Sequence, residues 1–167
     1  DDFNDGNANG WNTGEGLWAV QGGAYVAQFN GSARNITNLV GMNSINSQIT
    51  VDMTDLNTGP FNNFQILFGY KDATDYYYAG CWLGSGHWVI GHYYSGVWQT
   101  LAGVDDPATG PGLSGTVKID TTGGTVALYF NGVLKVSYTP SSPIPQGDLG
   151  LATIQAAVRY DNVCVQY

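Results

Sequence analysis

The sequence predicts an all-β protein, an antiparallel β-sandwich of two sheets with almost no helix. Its 167 residues are rich in Gly, Thr, Tyr, Val and Asn, and only 11% are charged, a composition that suits pleated strands. No window repeats apolar residues at helical spacing for long enough to form a helix. About 13 short segments of strand character follow at regular spacing, which favours a jelly-roll sandwich in one domain over residues 1–167.

Turn residues separate the predicted strands. Asn131-Gly132 is the strongest hairpin signal, because both central residues of a type I′ turn need positive φ. Residues 47–53 alternate most cleanly, which predicts that Ile49, Val51 and Met53 face inward. The predicted strands cover residues 18–20, 25–29, 33–40, 47–53, 64–70, 76–83, 87–93, 97–101, 116–120, 125–130, 133–138, 148–154 and 157–166.

Three segments are predicted to be irregular. Residues 1–16 have the Asn, Gly and Asp content of a loop, although Phe3 and Trp11 indicate that the segment is packed down. Residues 103–115 are dense in Gly, Pro and Asp and predict a rim or lid, with disorder as the alternative. Residues 139–147 form a Pro-rich crossover.

The charge of the chain limits the classes of ligand that it can bind. A net charge of -8 and a pI near 4.2, without any basic cluster, make nucleic acid an unsuitable partner. The same field repels polyanionic polysaccharides, so a neutral glycan is favoured. No apolar run reaches 18 residues, so we expect no membrane span. The low charge is typical of secreted proteins, and the opening residues contain no signal peptide, so we expect any such signal to have been removed.

Two cysteines lie far apart in the sequence. Cys81 and Cys164 do not have metal-binding spacing. A disulfide and a pair of buried free thiols both remain open.

Residues 61–101 hold most of the Tyr and Trp residues and both His residues. Because side chains alternate along a strand, Tyr70 is predicted to share the face of Phe64 and Phe68, and aromatic residues appear on both faces of this sheet. A single hydrophobic core can bury only one of the two faces of this sheet. The surplus is the composition of a surface that stacks on sugar rings or contacts a protein, and burial of the sheet on both sides is the alternative.

We predict that these aromatic residues and one arginine contact a glycan. Trp98 is the strongest candidate, because it follows the Ser95-Gly96 turn and shares a face with Thr100. The predicted ligand-binding residues are Arg34, Tyr70, Tyr77, Trp82, His92, Tyr94 and Trp98.

Several segments together resemble the concanavalin A-like lectin/glucanase superfamily, in particular the laminin-G-like jelly-roll modules attached to bacterial polysaccharide-degrading enzymes. The resemblance implies two curved sheets, a concave face or loop rim that binds glycan, and frequently a structural calcium ion on the opposite side. It covers nearly the whole chain and is carried by DDFNDGNANGW, GLWAVQGGAY, FQILFGYKDATDYYYAG, WVIGHYYSGVWQTLA, VALYFNGVLKVSY and RYDNVCV.

The resemblance also places the two ends of the chain together, where calcium would be bound. Asp2 and Asp161 are the expected carboxylate ligands, with Asp5 and a carbonyl of Gly22 or Gly23 beside them. The alternative is that these residues only cap turns.

Enzymes with this fold carry residues that the sequence lacks. Laminarinase-type hydrolases place two Glu and an Asp on one strand, whereas Glu15 is the only glutamate here. The alginate-lyase branch resembles this chain in YYYAG and Gln65-Ile66, but Leu67 stands in place of its His and no Arg is predicted on the neighbouring strands. His87 or His92 with a Tyr is a possible substitute.

The sequence therefore predicts a secreted, non-catalytic carbohydrate-binding module. We expect it to be a monomer, to belong to a larger multidomain enzyme and to bind a neutral polysaccharide or oligosaccharide. The first alternative is a polysaccharide lyase or glycoside hydrolase with unorthodox catalytic residues. The second alternative is an adhesion or structural surface domain.

Overall fold

The computed structural model describes residues 1–29, 31, 33–57 and 62–167, and these form an all-β sandwich. Within those ranges it contains 14 strands and one short 3₁₀ turn, Thr122–Gly124. The strands are β1 (Trp11–Glu15), β2 (Trp18–Val20), β3 (Tyr25–Ala27), β4 (Arg34–Asn43), β5 (Gln48–Asp55), β6 (Asn63–Asp72), β7 (Asp75–Trp82), β8 (His87–Tyr94), β9 (Val97–Asp105), β10 (Ser114–Asp120), β11 (Val126–Phe130), β12 (Val133–Tyr138), β13 (Asp148–Ile154) and β14 (Val158–Gln166). The predicted fold class is confirmed.

The strands form two antiparallel sheets of seven strands each. Sheet A has the order β1-β4-β13-β6-β7-β8-β9, and sheet B has the order β12-β11-β10-β5-β14-β3-β2. Four consecutive strands, β6 to β9, lie side by side in sheet A because short turns join them. Among the described residues, no helix is long or apolar enough to cross a bilayer.

The main core lies between the sheets. In β5, the predicted inward residues Ile49, Val51 and Met53 are buried in it. They meet residues of sheet A such as Phe64 and Trp88, which are fully buried. Each such side chain contributes about 1.5–3 kcal/mol by leaving water. The inner faces of the two sheets therefore hold the sandwich together.

The outer face of sheet A, which points away from sheet B, is also buried in part. Residues that alternate with the core residues form a second apolar cluster on this face. Its members are Ile36, Leu67, Tyr70, Tyr76, Tyr78, Val89 and Ala152. Burial of this sheet on both sides, the alternative to a fully exposed aromatic face, is thus found at its centre.

Tyr70 lies on the face opposite to the predicted one. Phe68 belongs to the main core, but Tyr70 belongs to the outer cluster and stacks on Tyr76 at a centroid distance of 5.9 Å. The pairing of β6 with β7 is irregular between Phe68 and Asp72, and Gly69 has φ +55°. A bulge adds one residue to the strand and so reverses the alternation beyond it.

Two segments differ most from the prediction. Residues 11–15, predicted to be part of the opening loop, form edge strand β1, while Phe3 is buried in the core as predicted. Strand β9 continues to Asp105, so the predicted loop at 103–115 is shortened to residues 106–113. The Asn131-Gly132 turn has positive φ at both residues, as predicted.

Both cysteines are free, and they differ in burial. Cys81 is in the core, whereas Cys164 is exposed on β14. The structure therefore has no bond between them, and only one of them is a buried thiol.

Candidate functional site

The most polar part of the outer face of sheet A is built around Arg34. This residue begins β4 and pairs with Glu15 of the neighbouring edge strand β1. Its Nη2 and Nε donate to the two carboxylate oxygens of Glu15 over 2.9 and 3.2 Å. Its Nη1 donates to the hydroxyl of Tyr76 over 3.2 Å. A guanidinium has five N–H donors, so two of them remain for a ligand.

Arg34 also lies over the ring of Tyr93, with its Cζ 4.7 Å from the ring centroid. Arg34 lies on β4 and Tyr93 on β8, and strands β13, β6 and β7 lie between these two strands. On a flat sheet, four strand spacings would place the two backbones about 19 Å apart. The two side chains must therefore lean towards each other over three strands, as they do on a sheet face that curves inward.

Trp98 of β9 covers the tyrosines beside this pair. Its ring lies 4.5 Å from Tyr93, 5.2 Å from Tyr78 and 6.3 Å from Tyr76, measured between centroids. Trp98 remains 42% exposed, while Tyr76 and Tyr78 are buried. The buried rings thus fix the indole in one orientation and leave part of it in contact with solvent.

Burial keeps these phenols protonated. It raises the pKa of Tyr78 to about 12. Burial also raises the pKa of Tyr76, although Arg34 acts in the opposite direction. Both hydroxyls are consequently neutral hydrogen-bonding groups at physiological pH.

A second group of polar and aromatic residues lies at the other end of the outer face. Trp82 is 37% exposed and packs against His87 at a centroid distance of 4.9 Å. The Nδ1 of His87 lies 2.6 Å from the carboxylate of Asp105, which fixes the ring. A Cβ at Gly103 would come within 2.6 Å of the His87 ring, so a larger residue there would displace this ring.

An exposed strip of surface without large side chains connects the two ends of the outer face along β9. Thr100 and Gly103 are exposed between Trp98 and Asp105. On the adjacent strand β8, Tyr93 and His87 mark the two ends and are six residues apart, about 20 Å. The outer face therefore presents two aromatic platforms that this strip of small side chains joins.

Gln65 lies under this face. It is buried, and neither its amide nitrogen nor its amide oxygen has a hydrogen-bond partner. A buried amide without partners costs about 1–3 kcal/mol. It alternates with Phe64 and Ile66 of the core, so it belongs to the outer side of β6. An ordered water would satisfy it there.

The structure divides the seven predicted ligand residues between the two faces of sheet A. Four of them are on the outer face: Arg34, Tyr70, Trp82 and Trp98. Tyr70 is buried and supports Tyr76. The other three are on the inner face, at the margin of the sheet: Tyr77, His92 and Tyr94.

Sequence reasoning did not select Glu15, Tyr76 or Tyr93. The alternation of β7 and β8 places Tyr76 and Tyr93 on the face of Tyr78, and that signal was available. For Glu15 no local signal exists, because its role depends on the pairing of β1 with β4.

The residues predicted to bind calcium lie where the ends of the chain meet. The backbone N–H of Val163 donates to the Asp1 carbonyl over 2.8 Å. However, Arg159 donates to the Gly22 carbonyl over 3.1 Å and lies 3.5 Å from Asp161.

Backbone groups occupy other oxygens of the predicted calcium ligands. Asp2 and Asp5 accept from the N–H of Asn4 and Asn7, respectively. Among the described residues, no cluster of three or more His, Cys, Asp or Glu residues could hold a metal ion. The donors as arranged do not fit a calcium ion, and calcium binding remains a prediction.

Glu15 and Asp105, the carboxylates beside the two aromatic platforms of the outer face, do not form a pair for glycoside hydrolysis. Such a pair flanks the scissile bond at about 5–10 Å. Glu15 and Asp105 belong to β1 and β9, which are the opposite edges of sheet A. Both oxygens of Glu15 are bonded to Arg34, and Asp105 is bonded to His87.

The strands next to β7, which are β6 and β8, contain no arginine, but Arg34 reaches the Tyr76 hydroxyl from β4. Glu15 neutralises this arginine, however, and burial raises the pKa of Tyr76. A tyrosine that acts as a general base needs a lowered pKa. This arrangement therefore stabilises a neutral phenol, which does not abstract protons readily.

Comparisons with known proteins establish the fold. The sequence matches no profile of a protein family and no curated protein sequence. The structure is similar to the carbohydrate-binding module CBM66 from Bacillus subtilis, with a TM-score of 0.84, 18% identity, and coverage of 96% of this chain and 98% of the module.

Two further solved structures share the architecture at lower similarity. A laminarinase from Flavobacterium sp. UMI-01 has a TM-score of 0.70 and 11% identity, over 100% of this chain and 98% of the enzyme. A toad ovary galectin in complex with thio-digalactose has a TM-score of 0.59 and 11% identity, over 81% of this chain and 100% of the galectin. The chain thus has the concanavalin A-like jelly-roll fold, which confirms the resemblance at the level of fold.

Proposed function

We propose that this chain is a carbohydrate-binding module that recognises a neutral glycan on the outer face of sheet A. The observation that carries the proposal is the Arg34–Glu15 pair beside the exposed indole of Trp98. Sugar rings combine apolar C–H faces with hydroxyls that both donate and accept hydrogen bonds. An aromatic platform next to fixed donors and acceptors matches both features.

The ion pair suits adjacent hydroxyls of a sugar. Arg34 retains two N–H donors, and each carboxylate oxygen of Glu15 retains acceptor capacity. The hydrogen bonds to Glu15 and Tyr76 hold the guanidinium in place before the ligand arrives. This pre-organisation reduces the entropy that binding would cost.

Charge favours an uncharged ligand. The two charges of the Arg34–Glu15 pair cancel locally, and the chain carries a net charge of -8. An anionic glycan would meet Glu15 and the overall negative field. A neutral chain avoids both penalties.

The proteins with similar structures support this function by their own ligands. The module from B. subtilis is a carbohydrate-binding module, the Flavobacterium enzyme is a laminarinase, and the galectin is in complex with thio-digalactose. Enzymes also have this fold, so the function has to be inferred from the residues of the site. The neutralised Glu15 and the protonated Tyr76 support binding without catalysis. We further propose that the module is secreted, acts as a monomer and belongs to a larger polysaccharide-degrading enzyme.

Affinity electrophoresis in gels that contain laminarin, mixed-linkage β-glucan or galactomannan tests the proposal. We expect at least one polysaccharide to retard the protein and Trp98→Ala to weaken the retardation with little change in melting temperature. Tyr167→Ala is the matched control, because Tyr167 is an exposed aromatic residue that follows β14 of sheet B. Retardation that Trp98→Ala leaves unchanged, or a large loss of stability in this variant, would refute this role of Trp98.

Activity assays separate the module from its alternatives. Incubation with the same polysaccharides, and with alginate and pectate, should release neither reducing ends nor unsaturated uronates. Release of either product would favour a hydrolase or lyase. Failure of every glycan to retard the protein would favour an adhesion or structural domain.

A further inference from the structure

The inner face of sheet A carries an aromatic series that runs from the core to the solvent. Phe68 is fully buried and stacks on Tyr77 at a centroid distance of 5.8 Å. Tyr77 stacks on His92 at 4.1 Å with an interplanar angle of 8°. His92 in turn lies 5.9 Å from Tyr94, which is 59% exposed. The buried end of this series fixes the rings at its exposed end.

His92 is held by a chain of charged groups. Its Nε2 lies 2.9 Å from one carboxylate oxygen of Asp75, and Lys71 bonds the other oxygen over 2.7 Å. Burial would raise the pKa of Asp75, but the hydrogen bonds from Lys71 and His92 outweigh it and lower the pKa. The ionised carboxylate accepts the proton of Nε2. The Nδ1 of His92 therefore points away from Asp75 and has no partner among the described residues.

A shallow recess lies beside this series. It is lined by His92, Tyr94, Ser95, Val97 and Gln99. Val97 is 65% exposed, and Gln99 is exposed as well. The recess therefore combines an aromatic ring and an aliphatic side chain with an amide, a hydroxyl and an imidazole nitrogen. This is the same combination of apolar and hydrogen-bonding groups that suits a sugar ring.

We propose that this recess, the rim patch, is a second binding site for a neutral saccharide. Tyr94 and Val97 would contact the apolar face of the ring, and Gln99 and the Nδ1 of His92 would bond its hydroxyls. The local charges of Lys71 and Asp75 cancel, which again favours an uncharged ligand. The choice of a saccharide as occupant rests on the proposed function, because the chemistry of both sites is alike.

The two sites lie back to back on the β8–β9 hairpin. Tyr93 pairs with Trp98 on the outer face, whereas Tyr94 pairs with Val97 on the inner face. A saccharide bound to one face cannot reach the other through the sheet. One copy of the chain would consequently hold two glycan chains, or two parts of one chain, and gain avidity from both contacts.

Affinity electrophoresis with Tyr94→Ala, Trp98→Ala and the double variant tests the rim patch in gels of laminarin, mixed-linkage β-glucan and galactomannan. We expect each single variant to weaken retardation, Tyr94→Ala by about two- to tenfold, the loss typical of one aromatic contact. The double variant should not be retarded at all. Val133→Ala is the control for an exposed apolar residue outside both sites.

The possible results separate the two proposals. If Tyr94→Ala is retarded as strongly as the wild-type protein and Trp98→Ala is not retarded, the rim patch is overturned and the outer-face site stands. The reverse result would leave only the rim patch. No retardation of the wild-type protein in any gel would overturn both.

Light scattering gives an independent measurement of two sites. Wild-type protein mixed with a polysaccharide that retards it should cross-link the chains and increase scattering, and neither single variant should do so. Should Tyr94→Ala alter folding, Gln99→Ala and Val97→Ser provide substitutions at exposed positions. Cross-linking that persists in all three rim-patch variants would refute the proposal.

Discussion

The guanidinium of Arg34 lies 4.7 Å from the ring of Tyr93, although three strands of the sheet separate the two residues. Glu15 and the Tyr76 hydroxyl hold the guanidinium in this position. The outer-face site is therefore made by residues of β1, β4, β7 and β8 together with Trp98 of β9, and curvature of the sheet brings them together.

Substitution of Arg34 by lysine tests this arrangement. A lysine ammonium cannot form the two-point contact with Glu15 or stack in the same way on Tyr93. We expect Arg34→Lys to weaken glycan binding about tenfold or more while the protein remains folded, as measured by isothermal titration. Arg159→Lys, at an arginine outside the site, is the matched control. Unchanged binding by Arg34→Lys would show that only the charge matters.

Substitution of Trp82 tests whether the ligand occupies the whole outer face. Trp82 and Trp98 mark two platforms about 20 Å apart along the strands. We expect Trp82→Ala to weaken binding of long oligosaccharides and to leave binding of disaccharides unchanged. Titration with a series of increasing chain length measures this difference. An equal loss at every length would place both residues in one subsite.

The two cysteines should differ in reactivity. Burial raises the pKa of Cys81 to about 12, and Cys164 is exposed. Because the thiolate is the reactive form, we expect Ellman's reagent at pH 8 to modify one thiol in the native protein and two in denaturant. Cys164→Ser should remove the native reaction. Two reactive thiols in the folded protein would contradict the burial of Cys81.

The Asp75 carboxylate should contribute to stability in a defined pH range. Its pKa in the folded state lies below the ordinary value of 3.8, because its hydrogen bonds from Lys71 and His92 outweigh the effect of burial. The stabilisation is therefore present above about pH 4 and is lost as the pH falls through the lowered pKa. Denaturant unfolding of Asp75→Asn should show a weaker pH dependence below pH 4 than the wild-type protein. Identical pH profiles would refute the contribution.

Calcium should stabilise the ends of the chain if the Arg159 side chain moves away from Gly22 and Asp161. Binding at Gly22 and Asp161 must displace this guanidinium, so we expect only a small rise in the melting temperature of the wild-type protein. Arg159→Gln should show a larger rise, since the ion then meets no competing cation. Melting curves that EDTA leaves unmoved in both proteins, with no calcium by elemental analysis, would remove calcium from this site.

The amino-acid sequence by itself determined the fold class, most strand positions and the alternation along β5, β7 and β8. These features depend on neighbours within a few residues, because the period of a strand and the chemistry of a turn are local. The same alternation already separated Tyr77 from Tyr76, and it predicted Trp98 as an exposed platform.

Only the tertiary structure decided which of these residues act together. The bulge at Gly69 moved Tyr70 to the outer face, since one extra residue reverses every side chain beyond it. The pairing of β1 with β4 brought Glu15 to Arg34, a contact between residues distant in sequence. The packing of the two sheets left Tyr94 exposed on the inner face while it buried Phe68. Strand pairing, register and sheet packing are long-range properties, and a local pattern in the sequence does not contain them.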